Sequence, residues 1–301
     1  MKRVISVSLG SSKGNKSQET EILGEKFLIE RIGTDGNLEK FAQMFLDLDG
    51  KVDALGVGGA DIYLVVGNKR YVFKQIERIV SKVKMTPVVD GSGLKHTLER
   101  EAVRTLQREG TIDFKNSTTL MVAAVDRFGM AQALEEIGGQ VIFGDLMFGL
   151  GLPIPLRSYK AVRIFGSLIL PIITRLPSQW FYPTGDRQTV SKPKFPKIFA
   201  QSQVIAGDKH IIFRNMPSQL QGKTLLTQTL RKADFEILKK SGCAKVITTT
   251  PVMGGETFAT NVMEGVLVAL SGKRPDELRD SDYLDLLSKL QWKPNVVALA
   301  S

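Results

Sequence analysis

Two stretches, roughly 155 residues apart, concentrate the side chains able to do chemistry: Asp90-Gly91-Ser92-Gly93 and Ile247-Thr248-Thr249-Thr250-Pro251-Val252-Met253-Gly254. An aspartate at a strand end can accept a hydroxyl proton or hold a polyol, and the glycines after it let a substrate approach the backbone. Asp and Gly are equally the composition of a helix cap followed by a turn. Three threonine hydroxyls before a proline suit a crevice at the carboxyl edge of a sheet. They suit plain strand propensity with a proline stop as well.

Between these stretches, Thr119–Asp145 reads as strand, tight turn, helix and a second strand ending in an acid. The acid stands about 20 residues after the turn, where dinucleotide-binding folds hold a ribose hydroxyl. Aligned on Gly-x-Gly-x-x-Gly, the turn reads Ala124-Val125-Asp126-Arg127-Phe128-Gly129, so only the last glycine is present. Asp126 brings negative charge to the place of a pyrophosphate, and Arg127 or a downstream basic segment would have to neutralise it. Nucleotide binding and a structural βαβ unit both fit.

Smaller signals stand elsewhere. Gly10-Ser11-Ser12-Lys13-Gly14 follows a strand and could cradle an anion with backbone N–H groups, but it lacks the ending of a P-loop and reads better as an ordinary turn. Gly56-Val57-Gly58-Gly59-Ala60-Asp61 is another strand-end glycine turn with an acid. His96 and His210 pair with no evident nucleophile. Two histidines and one cysteine, Cys243, argue against a zinc site and against a disulfide framework. No metal is expected.

The elements that must position these residues alternate. Strand-like runs are Val4–Leu9, Phe27–Ile32, Ala54–Val57 and Pro87–Val89, with a hairpin around Gly67-Asn68-Lys69-Arg70. Helical spacing covers Asn37–Leu48, Lys74–Val83 and Leu94–Arg108. After a linker at Thr111–Asn116 come strands at Thr119–Val125, Gln140–Gly144, Val204–Ala206, Thr224–Thr227 and Lys245–Thr249. Helices fit Gly129–Ile137, Ala233–Ser241, Asn261–Leu270 and Ser281–Leu290. Five prolines between 153 and 183 interrupt an apolar helix, Tyr159–Arg175. The expected architecture is α/β with two lobes: an N-terminal α/β domain over 1–115 and a Rossmann-like C-terminal domain over 116–301, with a proline-rich insertion at about 147–203.

Hydrophobic content of 43% and charged content of 24% fit a packed globular chain. Net charge is +10, and residues 151–200 hold eight Lys/Arg against one acid, Asp186. That segment could steer an anionic partner, or be a solvated face. Aromatic residues are not interleaved with the charges as a single-strand binder requires, so nucleic acid is not expected. No run approaches a membrane span or a secretory signal, which points to the cytoplasm. Membrane contact is not expected, and a homo-oligomer is compatible with the composition.

Taken in order, the Asp-Gly-x-Gly turn, the βαβ unit and the Thr-Thr-Pro-x-x-Gly strand end resemble the shikimate/quinate dehydrogenase family. The whole chain also resembles bacterial proteins labelled quinate 5-dehydrogenase, through Val125–Gly129 and Thr260–Gly265. The resemblance implies reversible oxidation of a ring hydroxyl of a quinate- or shikimate-like polyol with NAD or NADP. Asp90 would be the catalytic acid, with Lys95, Lys69 or Lys74 as the lysine, since the family's own lysine motif is absent. Asp126, Arg127, Gly129 and Asp145 would hold the cofactor, Asp145 favouring NAD. Thr248, Thr249, Thr250, Pro251 and Gly254 would line its nicotinamide end. The alternative is a non-redox protein that binds an anionic small molecule between the two lobes, with Arg127 and the basic insertion holding the anion. A third reading lays Phe165–Leu176 on a membrane surface as an apolar lid.

Overall fold

The computed structural model describes residues 1–177, 191–253 and 256–299. Arg187, Asp186 and Pro183 of the basic, proline-rich segment lie outside the described residues, as does Gly254. The chain is a mixed α/β fold with two lobes, each built on its own sheet.

In the first lobe, β1 (Lys2–Ser8) is buried along most of its length because β3 (Glu25–Gly33) and β4 (Ala54–Gly58) flank it on both edges. The sheet order is β2-β3-β1-β4-β7, with β2 (Lys16–Ile22) antiparallel at one edge and the short β7 (Val88–Val89) at the other. β5 (Tyr63–Val66) and β6 (Lys69–Val72) form the expected hairpin, turning at Gly67 and Asn68. Gly67 has φ +59°, the left-handed region that such a turn requires. On one face lies α1 (Leu38–Leu48), capped where the Asn37 carboxamide oxygen accepts the Lys40 N–H, with Phe41 and Phe45 in the core. It is joined there by α2 (Lys74–Val80). The single helix expected over Leu94–Arg108 is two: α3 (Ser92–His96) and α4 (Leu98–Arg108). The break falls at Thr97, whose hydroxyl turns back to donate to the Gly93 carbonyl at 2.7 Å.

The second lobe carries β8 (Thr118–Met121), α5 (Phe128–Ile137), β9 (Gln140–Phe143), α6 (Tyr159–Ile173) and α7 (Pro196–Gln201). β10 (Val204–Ala206), α8 (Lys209–Asn215), β11 (Thr224–Thr227), α9 (Lys232–Lys240) and β12 (Lys245–Thr248) follow. A two-stranded ribbon of β13 (Val252–Met253) and β14 (Glu256–Thr257) leads out of the sheet. Strand order is β9-β8-β10-β11-β12-β15, parallel except for β15 (Asn295–Ala298). α6 survives its proline because Pro171 sits near its C-terminal end, where only one helical hydrogen bond is lost.

The expected division near residue 115 meets a chain that crosses back. α10 (Thr260–Ser271) and α11 (Asp280–Lys289) pack behind the first lobe, not the second. Gly265 lets α10 lie against β1 and β4, since a Cβ there would come within 2.9 Å of Val4. Val262, Met263, Val266 and Leu267 are buried against Val4, Phe27, Ile29 and Ala54. Each such side chain contributes about 1.5–3 kcal/mol. Three segments therefore join the lobes: α4 to β8, β12 to α10, and α11 to β15.

Candidate functional site

Strands of both sheets point their carboxyl ends at one cavity of about 870 Å³. The first lobe contributes Ser8 from β1, Gly58 to Asp61 from the end of β4, and Asp90 after β7. The second contributes Val125-Asp126-Arg127 after β8, Asp145 after β9, and Asp208 after β10.

At the junction of the lobes, two cations are enclosed by carboxylates. Lys95, buried on α3, donates to Asp61 and Asp126 at 2.6 Å each. Burial alone would lower its pKa, but Asp126 and Asp61 prevail and raise it above the ordinary lysine range. Asp61 is pushed up to about 6 by burial, with Lys95 opposing. Arg127 donates through Nη1 to Glu99 at 2.6 Å and to the Thr260 hydroxyl at 3.1 Å. Its Nη2 reaches Asp208 at 2.8 Å, and its Nε reaches Asp126 at 3.2 Å. Every nitrogen of the guanidinium is engaged.

These facts correct several expected roles. Lys95 is a locked cation and cannot relay a proton near neutral pH. Lys69 is exposed, with its ammonium 5.2 Å from the Tyr71 ring centroid, and it does not line the cavity. Lys74 pairs with Glu77 on the exposed surface of α2. Asp90 lines the cavity, but both its oxygens are occupied: Oδ2 accepts the Ile62 N–H at 2.7 Å, and Oδ1 the Ser92 N–H at 3.0 Å. It caps and braces the turn. Four of the five N–H donors of Arg127 go to Glu99, Thr260, Asp208 and Asp126, so the guanidinium is held chiefly by the protein itself. Asp126 serves Lys95 and Arg127, and Gly129 is a packing glycine, since a Cβ there would lie 2.1 Å from the Lys95 carbonyl oxygen.

The rest of the Asp-Gly-Ser-Gly turn is held by a residue without a role in the sequence reading. Glu264 of α10 accepts the Gly91 N–H at 2.6 Å, the Gly93 N–H at 3.0 Å and the Tyr283 hydroxyl at 3.1 Å. Burial, with Asp90 nearby, pushes its carboxyl up to about 7. Its signal was present: a lone acid inside the apolar run Thr260–Leu270. Asp145 accepts the Val125 N–H at 3.0 Å through Oδ1, while its sealed Oδ2 has no partner among the described residues. Burial pushes that carboxyl up to about 6.

Thr248, Thr249 and Thr250 are buried and do not line the cavity. The Thr250 hydroxyl donates to the Gln228 carbonyl at 2.6 Å, and Trp292 donates to the Thr249 carbonyl at 2.7 Å. Thr248 accepts from Asn295 at 3.4 Å. Pro251 is half-buried outside the lining, and no aspartate faces a threonine row across the cleft. The strand end is structural.

A second set of cations borders the same cavity. Arg31 of β3 and Arg231 before α9, one from each lobe, both lie against Gly14. A Cβ on Gly14 would stand 3.0 Å from Arg31 Nη1 and 3.1 Å from Arg231 Nη2. Arg31 donates to the Ser11 carbonyl and the Ser8 hydroxyl, at 3.1 Å each. Neither arginine makes an ion pair among the described residues. Burial and then the charge of Arg231 lower the pKa of Arg31. Lys16, also on the lining, is lowered by burial and by Arg231, and stands 4.7 Å from the Phe258 ring centroid. The Gly10–Gly14 turn supplies room here and no N–H cradle: the Ser12 N–H goes to Asp35 and the Gly14 N–H to the Ser11 carbonyl.

Among the described residues, no helix is long and apolar enough to cross a membrane, and no group of three or more His, Cys, Asp or Glu could hold a metal ion. Residues 93–299 match the family model described as Domain of unknown function (DUF8754), and residues 3–90 match Domain of unknown function (DUF8753). The two matches meet at the Asp90-Gly91 turn. No curated protein matches the chain. Similar solved structures include a galactofuranose-binding protein, 10% identical over 99% of this chain and 95% of that one, with TM-score 0.38. An ABC-transporter solute-binding protein from Burkholderia multivorans is 11% identical over 99% of both chains, with TM-score 0.40. A glucose-galactose-binding protein from Geobacillus stearothermophilus is 10% identical over 99% and 97%, with TM-score 0.38. The expected oxidoreductase, its quinate- or shikimate-type substrate and its NAD or NADP are corrected here. Lys95, Asp126 and Arg127 are engaged in ion pairs with one another and with Asp61, Glu99 and Asp208, Asp90 braces a turn, and Lys69 lies away from the cavity, so the residues assigned to hydride and cofactor chemistry have other work.

Proposed function

From the premise that the chain belongs to the DUF8754 family, we propose that it is a non-redox protein that binds an anionic small molecule in the cleft between its lobes. One observation carries the reading: guanidinium groups from opposite lobes converge on Gly14 beside the cavity, and neither is in an ion pair among the described residues. Like charges so placed repel, and an anion bridging them turns that repulsion into two charge-assisted contacts. Planar arginine forks suit carboxylate or phosphate oxygens in particular.

The frame supports the same reading. The second lobe reads as a doubly wound, Rossmann-like sheet in which β9 and β10 lie on opposite sides of β8. Ligand crevices form at such a switch point, outside the carboxyl ends of the strands. α6, which follows β9 in the chain, lines one side of the cavity.

Thermal unfolding with inorganic phosphate, pyrophosphate and citrate at low salt tests the proposal. A ligand at a hundred times its Kd stabilises by about 2.7 kcal/mol. The expected result is a raised midpoint that disappears in Arg31→Met and Arg231→Met. Equal shifts in wild type and both variants, or no shift with any of the three anions, would sink it.

A further inference from the structure

We infer that the anion carries a hydrocarbon arm, and that α6 forms the wall along which the arm lies. The inference rests on the anion-binding reading above and names the ligand class of that same cavity. Val162, Phe165, Gly166, Ile169, Leu170 and Ile173 all line it, at the three- and four-residue spacing of a single helix face. They span eleven residues of rise, about 16 Å of wall. None carries a polar side-chain atom.

Leu64, Phe73, Leu146 and Leu156, all buried, line the same cavity. Phe148 and Leu150 add further apolar lining. Gly166 brings the helix close to the first lobe, where a Cβ would approach Val66 to 2.8 Å. The wall is thus fixed to one lobe while its parent segment belongs to the other. A small, fully polar anion would satisfy the arginines and leave this wall in water, whereas an amphiphile uses both the arginines and the wall.

Calorimetric titration of the full chain with inorganic phosphate, then with butyl, octyl and dodecyl phosphate below their micelle concentrations, reads this directly. The matching alkyl carboxylates separate the head group from the arm. Each buried methylene is worth about 0.8 kcal/mol, so affinity should rise roughly fourfold per carbon until the wall is used up. Ile169→Asn should flatten that rise and leave inorganic phosphate binding unchanged. Phe165→Asn, at a half-exposed position, serves the same purpose if Ile169→Asn fails to fold. Leu168→Gln, on the outer face of α6, should leave the series unaltered.

Phosphate binding with no dependence on chain length overturns the arm and leaves the anion site standing. So does a chain-length effect untouched by the α6 lining variants, which would place the hydrocarbon elsewhere. Absence of binding by every phosphate and carboxylate overturns the anion reading itself.

Discussion

Two groups of cations border the same cavity, and they are held in opposite ways. Lys95 and Arg127 are wrapped by Asp61, Asp126, Glu99 and Asp208, close enough that each nitrogen is engaged. Arg31 and Arg231 lie against Gly14 from the two lobes, and neither guanidinium forms an ion pair among the described residues: Asp35 only partly offsets the charge of Arg231 at Arg31, and Asp234 meets the Arg231 backbone N–H. The first group is a fastening and the second an opening for a ligand. Positive charge in a cleft does not by itself mark a binding site; what matters is whether its hydrogen bonds are already spent.

The largest expected effect lies in the fastening. Arg127→Met leaves Glu99, which is fully buried, and Asp208 without their partner. Removing one member of a buried ion pair costs about 3–5 kcal/mol, because the charge left behind stays desolvated. Urea unfolding should show that loss. A drop below about 1 kcal/mol would mean that water reaches these carboxylates, and the contrast between the two groups would fail.

An intermediate effect comes from Asp145, a charge that belongs to neither group. Burial raises its carboxyl from near 3.8 to about 6, so the folded state holds the proton more tightly than the unfolded chain. Its contribution is full below pH 4 and is lost as the pH rises through 6. Asp145→Asn should therefore gain about 2–3 kcal/mol on wild type between pH 4 and pH 7.5. A pH-independent difference between the two proteins, measured by denaturant unfolding, would show that Asp145 stays ionised throughout.

Much of the frame was legible. Val204–Ala206 and Thr224–Thr227 are strands at the expected residues, because short β-branched and apolar runs between turn signals have few other uses. Lys16–Ile22 escaped notice because an edge strand shows its polar side chains to solvent, and Lys-Ser-Gln-Glu-Thr-Glu has no apolar alternation. The return of α10 to the first lobe was invisible for another reason. Helical periodicity says which face is apolar, not which sheet will cover it. At the site, Asp90, Lys95 and Arg127 stood out in the sequence, and the structure turns their hydrogen bonds to backbone and to neighbouring side chains. Strand-end acids and buried cations attract notice whether they bind a ligand or one another. Arg31 went unremarked beside Glu30 in a strand of mixed character, and Arg231 had no local signal, since the two meet only across the cleft.

The smallest expected effect tests the open pair itself. With no ligand present, Arg31 and Arg231 repel across a boundary that is wet on the Arg231 side, where the residue is exposed. Coulomb attraction or repulsion between unit charges a few ångströms apart is a few kcal/mol at most in such surroundings, and screening reduces it further. Arg231→Met should accordingly raise the stability of the unliganded chain by about 1 kcal/mol in 20 mM salt. At 0.5 M salt, where the Debye length is shorter than the breadth of the cleft, most of that gain should vanish. Arg127→Met cannot behave this way, because its partners are shielded from the salt. If Arg231→Met instead destabilises the chain, and does so equally at both salt concentrations, the guanidinium is fastening the lobes like Lys95 and Arg127. A binding role for the pair would then have to be abandoned.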